Sequence, residues 1–317
     1  MQSSFNGICR VLLSDRPLSG YINVPDLFSL FPANEFSAIT DVVSTPWLNR
    51  RMNKSGPNAK FGPPYPIVIQ VPDSGDIDIT FKRLDTYTYL VCLLFHKFRP
   101  FPRTNQDGEW ISEWNAELQR MEHRIAQSGF GFREDTNLEN YICSGGTEAA
   151  VFDGENYFDS IPYPKEVSVP EFLEQFFHNY GNLSRKKKAN FDRASFLFWQ
   201  AEQIWAFGGD PNPTYVSAVE CLTEKLKVES CSACGARNAK LSEGYKLFLS
   251  NFALSSAPVM EQQKKMYTTR SKSVHGARTL QIDGDNFGSD EQFTNDILFP
   301  WLTRKALVNW LLAETNH

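Results

Sequence analysis

The sequence predicts an α+β region over residues 1–168 followed by an all-α helical bundle over residues 169–317. Residues 61–104 join a β-branched run to a strong turn, the pattern of strands. From residue 169 onward, apolar side chains recur at spacings of three and four, the pattern of amphipathic helices. Charge divides the same way. Residues 1–184 hold 15 Lys+Arg against 23 Asp+Glu, net −8; residues 185–317 hold 17 against 14, net +3, which together give the chain's −5. A basic C-terminal part permits a polyanion partner in a chain that is acidic as a whole.

Length and composition bound the class. A chain of 317 residues can bury a large core and is expected to form two domains. A hydrophobic content of 41% with 25 Phe excludes general disorder. The start, Met1-Gln2-Ser3-Ser4-Phe5, lacks a basic segment followed by an apolar core, so no secretory signal is expected. The most apolar run, residues 89–95, is too short to span a bilayer, and the expected location is cytoplasmic. Six Cys in a chain of this size make no disulfide scaffold. Cys231 and Cys234 form a lone C-x-x-C, with no second pair to complete the four ligands of a zinc site; the pair reads as a polar turn. No metal and no cofactor are expected.

Residues 8–13 fit a strand, and residues 25–32, bounded by Pro25 and Pro32, fit one or two helical turns. Residues 49–58 are polar and rich in breakers, as a loop is. Residues 65–71 form a β-branched run ended by the turn Pro72-Asp73-Ser74-Gly75-Asp76, and Ile77, Ile79 and Phe81 then alternate with polar residues, so the two runs suggest a hairpin. Residues 87–98 are apolar enough for a buried helix or strand, with His96 at their end read as structural. Residues 109–127 place Trp110, Trp114, Leu118 and Met121 on one face of an expected amphipathic helix. Residues 128–168, rich in Gly, Asp, Asn and Tyr, read as a hairpin or a long loop; Asp153, Glu155 and Asp159 there read as surface carboxylates.

The helical part begins with residues 170–180, carrying Phe172, Phe176 and Phe177. After the linker 181–184 comes a basic run, Arg185-Lys186-Lys187-Lys188, suited either to RNA phosphates or to a solvated helix start. The first bundle helix continues through Phe191, Ala194, Phe198, Ala201 and Trp205 and stops at Gly208-Gly209. The next starts with Asn212 as cap and Pro213 at its first position, and presents Tyr215, Val219, Leu222 and Leu226. Tyr245, Phe248, Leu249 and Phe252 mark a third helix, residues 261–275 a fourth, and residues 290–314 a fifth, kinked at Pro300. Five helices with short connections predict an antiparallel bundle.

The fourth of these helices ends on Tyr267-Thr268-Thr269-Arg270-Ser271-Lys272-Ser273-Val274-His275-Gly276. Gly276 fits the left-handed position that stops a helix. That leaves a forked, permanent cation and a proton-exchanging imidazole within about a turn and a half of each other. A guanidinium suits a phosphate and an imidazole suits general acid–base work, so the pair suggests phosphodiester chemistry. The string Tyr267-x-x-Arg270-Ser271-x-x-Val274-His275-Gly276, late in an all-helical region, resembles the signature of the HEPN superfamily, in its Apea-like branch. Val219-Glu220-Cys221-Leu222 is similar to that family's second-helix pattern. The resemblance covers residues 185–315.

The resemblance implies a HEPN-like bundle that dimerises and cleaves RNA without a metal, in a cleft between two protomers. His275 is then the general base or acid, Arg270 binds the phosphate, and Ser271, where the superfamily often has Asn, Asp or His, orients one of them. Arg185, Lys186, Lys187, Lys188 and Lys272 are the expected RNA contacts, and no DNA partner is expected. The products carry a 2′,3′-cyclic phosphate. The N-terminal part then senses a trigger, selects the RNA or masks the cleft, in antiphage or stress defence. The alternative implied by the same family is a catalytically silent interaction or ligand-binding module.

Overall fold

The β-branched runs near the N-terminus form one antiparallel sheet in the computed structural model. The structure describes residues 7–14, 16–32, 65–95, 99–100, 109–115, 120–126, 137–152, 157–158, 166–206, 211–223, 241–253 and 298–314. The strands are β1 (Gly7–Ser14), β2 (Ile22–Val24), β3 (Phe28–Pro32), β4 (Tyr65–Pro72) and the two-residue β5 (Arg99–Pro100), in the order β2-β3-β4-β1-β5. Register places Gln70 opposite both Cys9 and Ser29, and Ile69 opposite both Arg10 and Leu30.

Two helices cover the sheet's two faces, α1 (Ile77–Leu94) and α2 (Leu138–Cys143). On one face Arg10 pairs with Asp85 at 2.7 Å and donates to Thr88 at 3.0 Å, while Phe28 meets Tyr87 at 5.6 Å between ring centroids. On the other, Gln70 accepts from the Leu138 N–H at 2.9 Å and Phe31 stacks on Tyr141. Coverage on both sides explains why Ile67, Val68, Ile69 and Val71 are all buried in one strand.

Three local expectations are corrected in this region. Residues 77–81 open a helix instead of a second strand. Asp76 caps it, its carboxylate accepting from Asp78 N–H at 2.9 Å and Ile79 N–H at 3.2 Å. The buried stripe is Thr80, Leu84, Thr88 and Val91, and the alternating Ile77, Ile79 and Phe81 are exposed. Five residues of alternation are too few to outweigh a capped helix with a buried face. Residues 25–32 are no helical turn; they complete the hairpin of β2 and β3.

The third correction falls within residues 109–127, where β6 (Glu109–Asn115) and β7 (Arg120–Ala126) are strands that pair antiparallel, with Trp110 opposite Ile125 and Trp114 opposite Met121. A spacing of four satisfies a helix and, being even, also a strand, so Trp110 and Trp114 did not discriminate between them. Residues 137–152 of the irregular stretch form α2 and a short crossing. Tyr21 bonds to Thr147 and Ala149, and Gly20, at φ 132, admits the approach, because a Cβ there would lie 2.6 Å from the Thr147 carbonyl.

The turn of the β2–β3 hairpin supplies a stability test. Leu27 N–H donates to the Val24 carbonyl at 3.1 Å, Pro25 sits at the second position, and Asp26 at the third has φ 63. This is a type II turn, which favours Gly at the third position. Asp26→Gly is expected to stabilise by about 0.5 kcal/mol, whereas Asp26→Val is expected to cost about 1–2 kcal/mol, because Cβ crowding opposes the left-handed region. Denaturant midpoints would check the opposite signs.

The described chain divides into two units, Met1–Thr88 with Phe95–Glu171 and Tyr89–Leu94 with Phe172–His317. The second unit contains α3 (Leu173–Asn182), α4 (Arg185–Ala206), α5 (Asn212–Glu220), α6 (Leu241–Phe252) and α7 (Phe299–Ala313). Of the expected α4 stripe, Phe191, Ala194, Phe198 and Ala201 are fully buried, and the side chain of Trp205 lies outside the described residues. Residues 89–94, the last turns of α1, are helical; Tyr89 meets Phe196 and Trp199 of α4 at 5.3 and 5.1 Å between ring centroids.

The helix expected from residue 212 has Pro211 as its cap instead of Asn212, and it gives way to a turn at Cys221, before Leu222. Pro300 stands in the first turn of α7 as it is described, and residues 290–297 of the expected fifth helix, on which a kink at Pro300 depends, lie outside the described residues.

The centre of this unit is α7, which packs against α3, α4, α5 and α6 and is buried on nearly its whole perimeter. Neighbouring Asn side chains add donors to carbonyls at the helix ends. Asn179 of α3 donates to the carbonyls of Leu311 and Leu312 at 3.1 and 3.2 Å, and Asn309 of α7 donates to the Phe252 carbonyl at 2.7 Å. Asn179 is 1% exposed, so Asn179→Ala removes this donor from the Leu312 carbonyl and leaves the Leu311 carbonyl with the Glu314 N–H alone. The expected loss is about 1–3 kcal/mol, read as a lowered unfolding midpoint, with Asn309→Ala milder because its site is only part-buried.

Candidate functional site

Of the residues that the sequence proposes for RNA contact, Arg185 to Lys188 lie among the described residues. They occupy the first turn of α4. Ser184 precedes them as cap: Lys188 N–H donates to its carbonyl at 2.8 Å and Lys187 N–H to its hydroxyl at 3.5 Å. A helix N-terminus carries about half a positive charge and favours acidic residues. Here the first turn has no acidic residue and four consecutive cations.

The four cations are treated differently by the fold. Arg185 and Lys186 are exposed, and neither has an ion-pair partner among the described residues. Lys187 pairs with Glu314, just past α7. Lys188 lies over the Tyr180 ring, 3.4 Å from its centroid, and Tyr180 donates to Asp192 at 2.5 Å. Burial lowers the pKa of Lys188, and the Asp192 carboxylate opposes that shift. A solvated anion therefore meets two free cations and two that are already engaged.

The second sequence pattern, Val219-Glu220-Cys221-Leu222, falls at the end of α5. Val219 and Leu222 are buried. Glu220 acts on two neighbours. Burial first, then the Glu220 carboxylate, raise the pKa of the Tyr245 phenol on α6. Burial also raises that of the Cys221 thiol, opposed by Arg193 of α4 and reinforced by Glu220. Cys221 is thus held as a thiol, without nucleophilic character. Tyr215 of α5 donates to Glu202 of α4 at 2.6 Å, a second polar tie in the same unit.

Sequence reasoning missed Arg304 and Lys305, which are 5% and 7% exposed in α7. Arg304 lies over the Phe198 ring at 5.2 Å and Lys305 over the Trp301 ring at 5.1 Å. Consecutive charges in an amphipathic pattern normally mark a solvated face. A helix enclosed on all sides has none, and a one-dimensional pattern does not show enclosure.

Arg270, Ser271, Lys272 and His275, with the rest of the expected helix over 261–275, lie outside the described residues, as do Cys231, Cys234, His96, Asp153, Glu155, Asp159, Gly208-Gly209 and residues 49–58. Among the described residues, no group of three or more His, Cys, Asp and Glu side chains is placed to hold a metal ion, and no helix is long and apolar enough to cross a membrane. No family model, curated protein or solved structure matches the chain. The HEPN resemblance therefore rests on residues 219–222 and 267–276 themselves.

Proposed function

We propose that the chain is a metal-independent endoribonuclease of HEPN type, acting as a homodimer. The observation that carries the reading is the string Arg270-Ser271-x-x-Val274-His275-Gly276 in the helical second part of the chain. It supplies a fixed cation for a phosphate and an imidazole for its proton transfers. The RNA 2′-oxygen attacks the adjacent phosphorus and its proton passes to a base. The 5′-oxygen leaves and takes a proton from an acid. The products are a 2′,3′-cyclic phosphate and a 5′-hydroxyl. His275 serves as base or acid, Arg270 neutralises charge growing on the phosphoryl oxygens, and Ser271 orients one of the two. Arg185 and Lys186, the two cations of the basic run without ion-pair partners among the described residues, and Lys272 guide the RNA backbone. Lys187 adds to this where Glu314 releases it, and Lys188 contributes its charge from its seat over the Tyr180 ring. The first part of the chain selects the RNA or restrains cleavage, in antiphage or stress defence.

One observation favours a second reading, a silent HEPN-type interaction module. Half of the basic run at α4 is engaged inside the fold, and the region's net charge is only +3. The deciding experiment incubates the full chain with total RNA and tRNA in EDTA and analyses the cleaved ends. Cyclic-phosphate ends that vanish with His275→Ala and with Arg270→Ala support the nuclease. A folded dimer that binds RNA but leaves it intact, under conditions where a known ribonuclease cuts, favours the module. Cleavage unchanged in both variants overturns the site assignment.

A further inference from the structure

Two helix ends in the second unit carry charge of the wrong sign for their own dipoles. The N-terminus of α4 is positive and bears Arg185 to Lys188. The C-terminus of α7 is negative and is followed by Glu314. The ion pair between Lys187 and Glu314 brings these two mismatched ends together, so that each corrects the other. The carboxylate is the more enclosed partner, with 18% of its side chain exposed against 48% for the lysine. The anchored half is therefore the anion. The ammonium, on a flexible four-carbon stem, is the half able to turn to another oxyanion.

We propose that Glu314 occupies Lys187 in place of an RNA phosphate and so holds down the RNA affinity of the α4 N-terminus. This rests on the reading of α4 as an RNA contact. Lys187 lies in the same helical turn as Arg185 and Lys186, which have no ion-pair partners among the described residues, so release from Glu314 extends that pair of cations to three. The occupant is a backbone phosphate, because the available chemistry is clustered point charge at a helix N-terminus. Recognition of this kind is independent of base sequence and salt-dependent. Lys188 is not part of the switch. Its ammonium is committed to the Tyr180 face and partly desolvated.

The test measures binding of a fluorescent single-stranded 2′-O-methyl RNA, which has no free 2′-hydroxyl to attack, across a series of KCl concentrations. Each phosphate neutralised on a single strand contributes about −0.7 to the slope of log affinity against log salt. Glu314→Gln is expected to steepen that slope by about 0.7 and to tighten binding about threefold at low salt. Glu314→Asp, which keeps the charge, is expected to match the wild type. Adding Lys187→Ala to Glu314→Gln is expected to cancel the gain. If Arg185→Ala and Lys186→Ala flatten the slope while Glu314→Gln leaves it unchanged, α4 still contacts RNA but the masking by Glu314 is overturned. If no variant moves the slope, the RNA contact at α4 fails, and the inference fails with it.

Discussion

Replacing His275 by alanine is expected to reduce RNA cleavage by about 10²- to 10⁴-fold, the range supplied by one positioned general acid or base. Arg270→Ala is expected to cost about 10²- to 10³-fold, comparable to removing one donor that stabilises a developing oxyanion. The two effects have different signatures. Losing the imidazole removes its titration from the pH–rate profile, so residual activity rises towards high pH, where hydroxide substitutes for the base. Losing the guanidinium lowers the rate without moving the profile. Arg270→Lys restores part of the rate, because the charge returns without the fork. Since His275 and Arg270 serve one phosphate, their combined loss is expected to be less than the product of the single losses. Rates from end-labelled RNA in EDTA check all of this. Full activity of His275→Ala at neutral pH would remove the imidazole from the chemistry.

Phe191→Ala is expected to destabilise the helical unit by about 3–5 kcal/mol, the range for emptying a well-packed aromatic site. Phe191 is fully buried on α4 and touches three rings on two other helices at once. Its ring stacks on Trp310 of α7 at 5.6 Å between centroids, and it contacts Phe176 and Tyr180 of α3, each at 6.1 Å. Truncation removes all three contacts and leaves a cavity bounded by rigid rings, which collapse poorly. Phe191→Leu keeps most of the volume and is expected to cost about 1 kcal/mol. Chemical denaturation of the full chain, followed by far-UV circular dichroism, reads both. A loss below about 1 kcal/mol for the alanine variant would mean that α4 is not seated on α3 and α7 through this ring.

The change from a sheet-bearing first part to a helical second part was legible in the sequence, because it depends on periodicity, which is local. The stripe Phe191, Ala194, Phe198, Ala201 gave the buried face of α4 without any knowledge of what covers it. The run of residues 65–71 gave β4 for the same reason. The arginine–histidine string is likewise a property of sequence, and the proposed chemistry follows from its residue types and spacing.

Tertiary structure decided what periodicity leaves degenerate. Trp110 and Trp114 suit a helix or a strand, and pairing with residues 120–126 selected the strand. The alternation of Ile77, Ile79 and Phe81 was overridden by the Asp76 cap and by a buried face on the other side of the helix. Burial of Arg304 and Lys305 follows from α7 being packed against four other helices and buried on nearly its whole perimeter. The basic run shows the same division. Four adjacent cations look equivalent in sequence. Glu314 lies 127 positions from Lys187 along the chain, and only the fold brings its carboxylate to that one ammonium while leaving Arg185 and Lys186 to solvent. Charge is written in the chain residue by residue, whereas its compensation depends on distance in space.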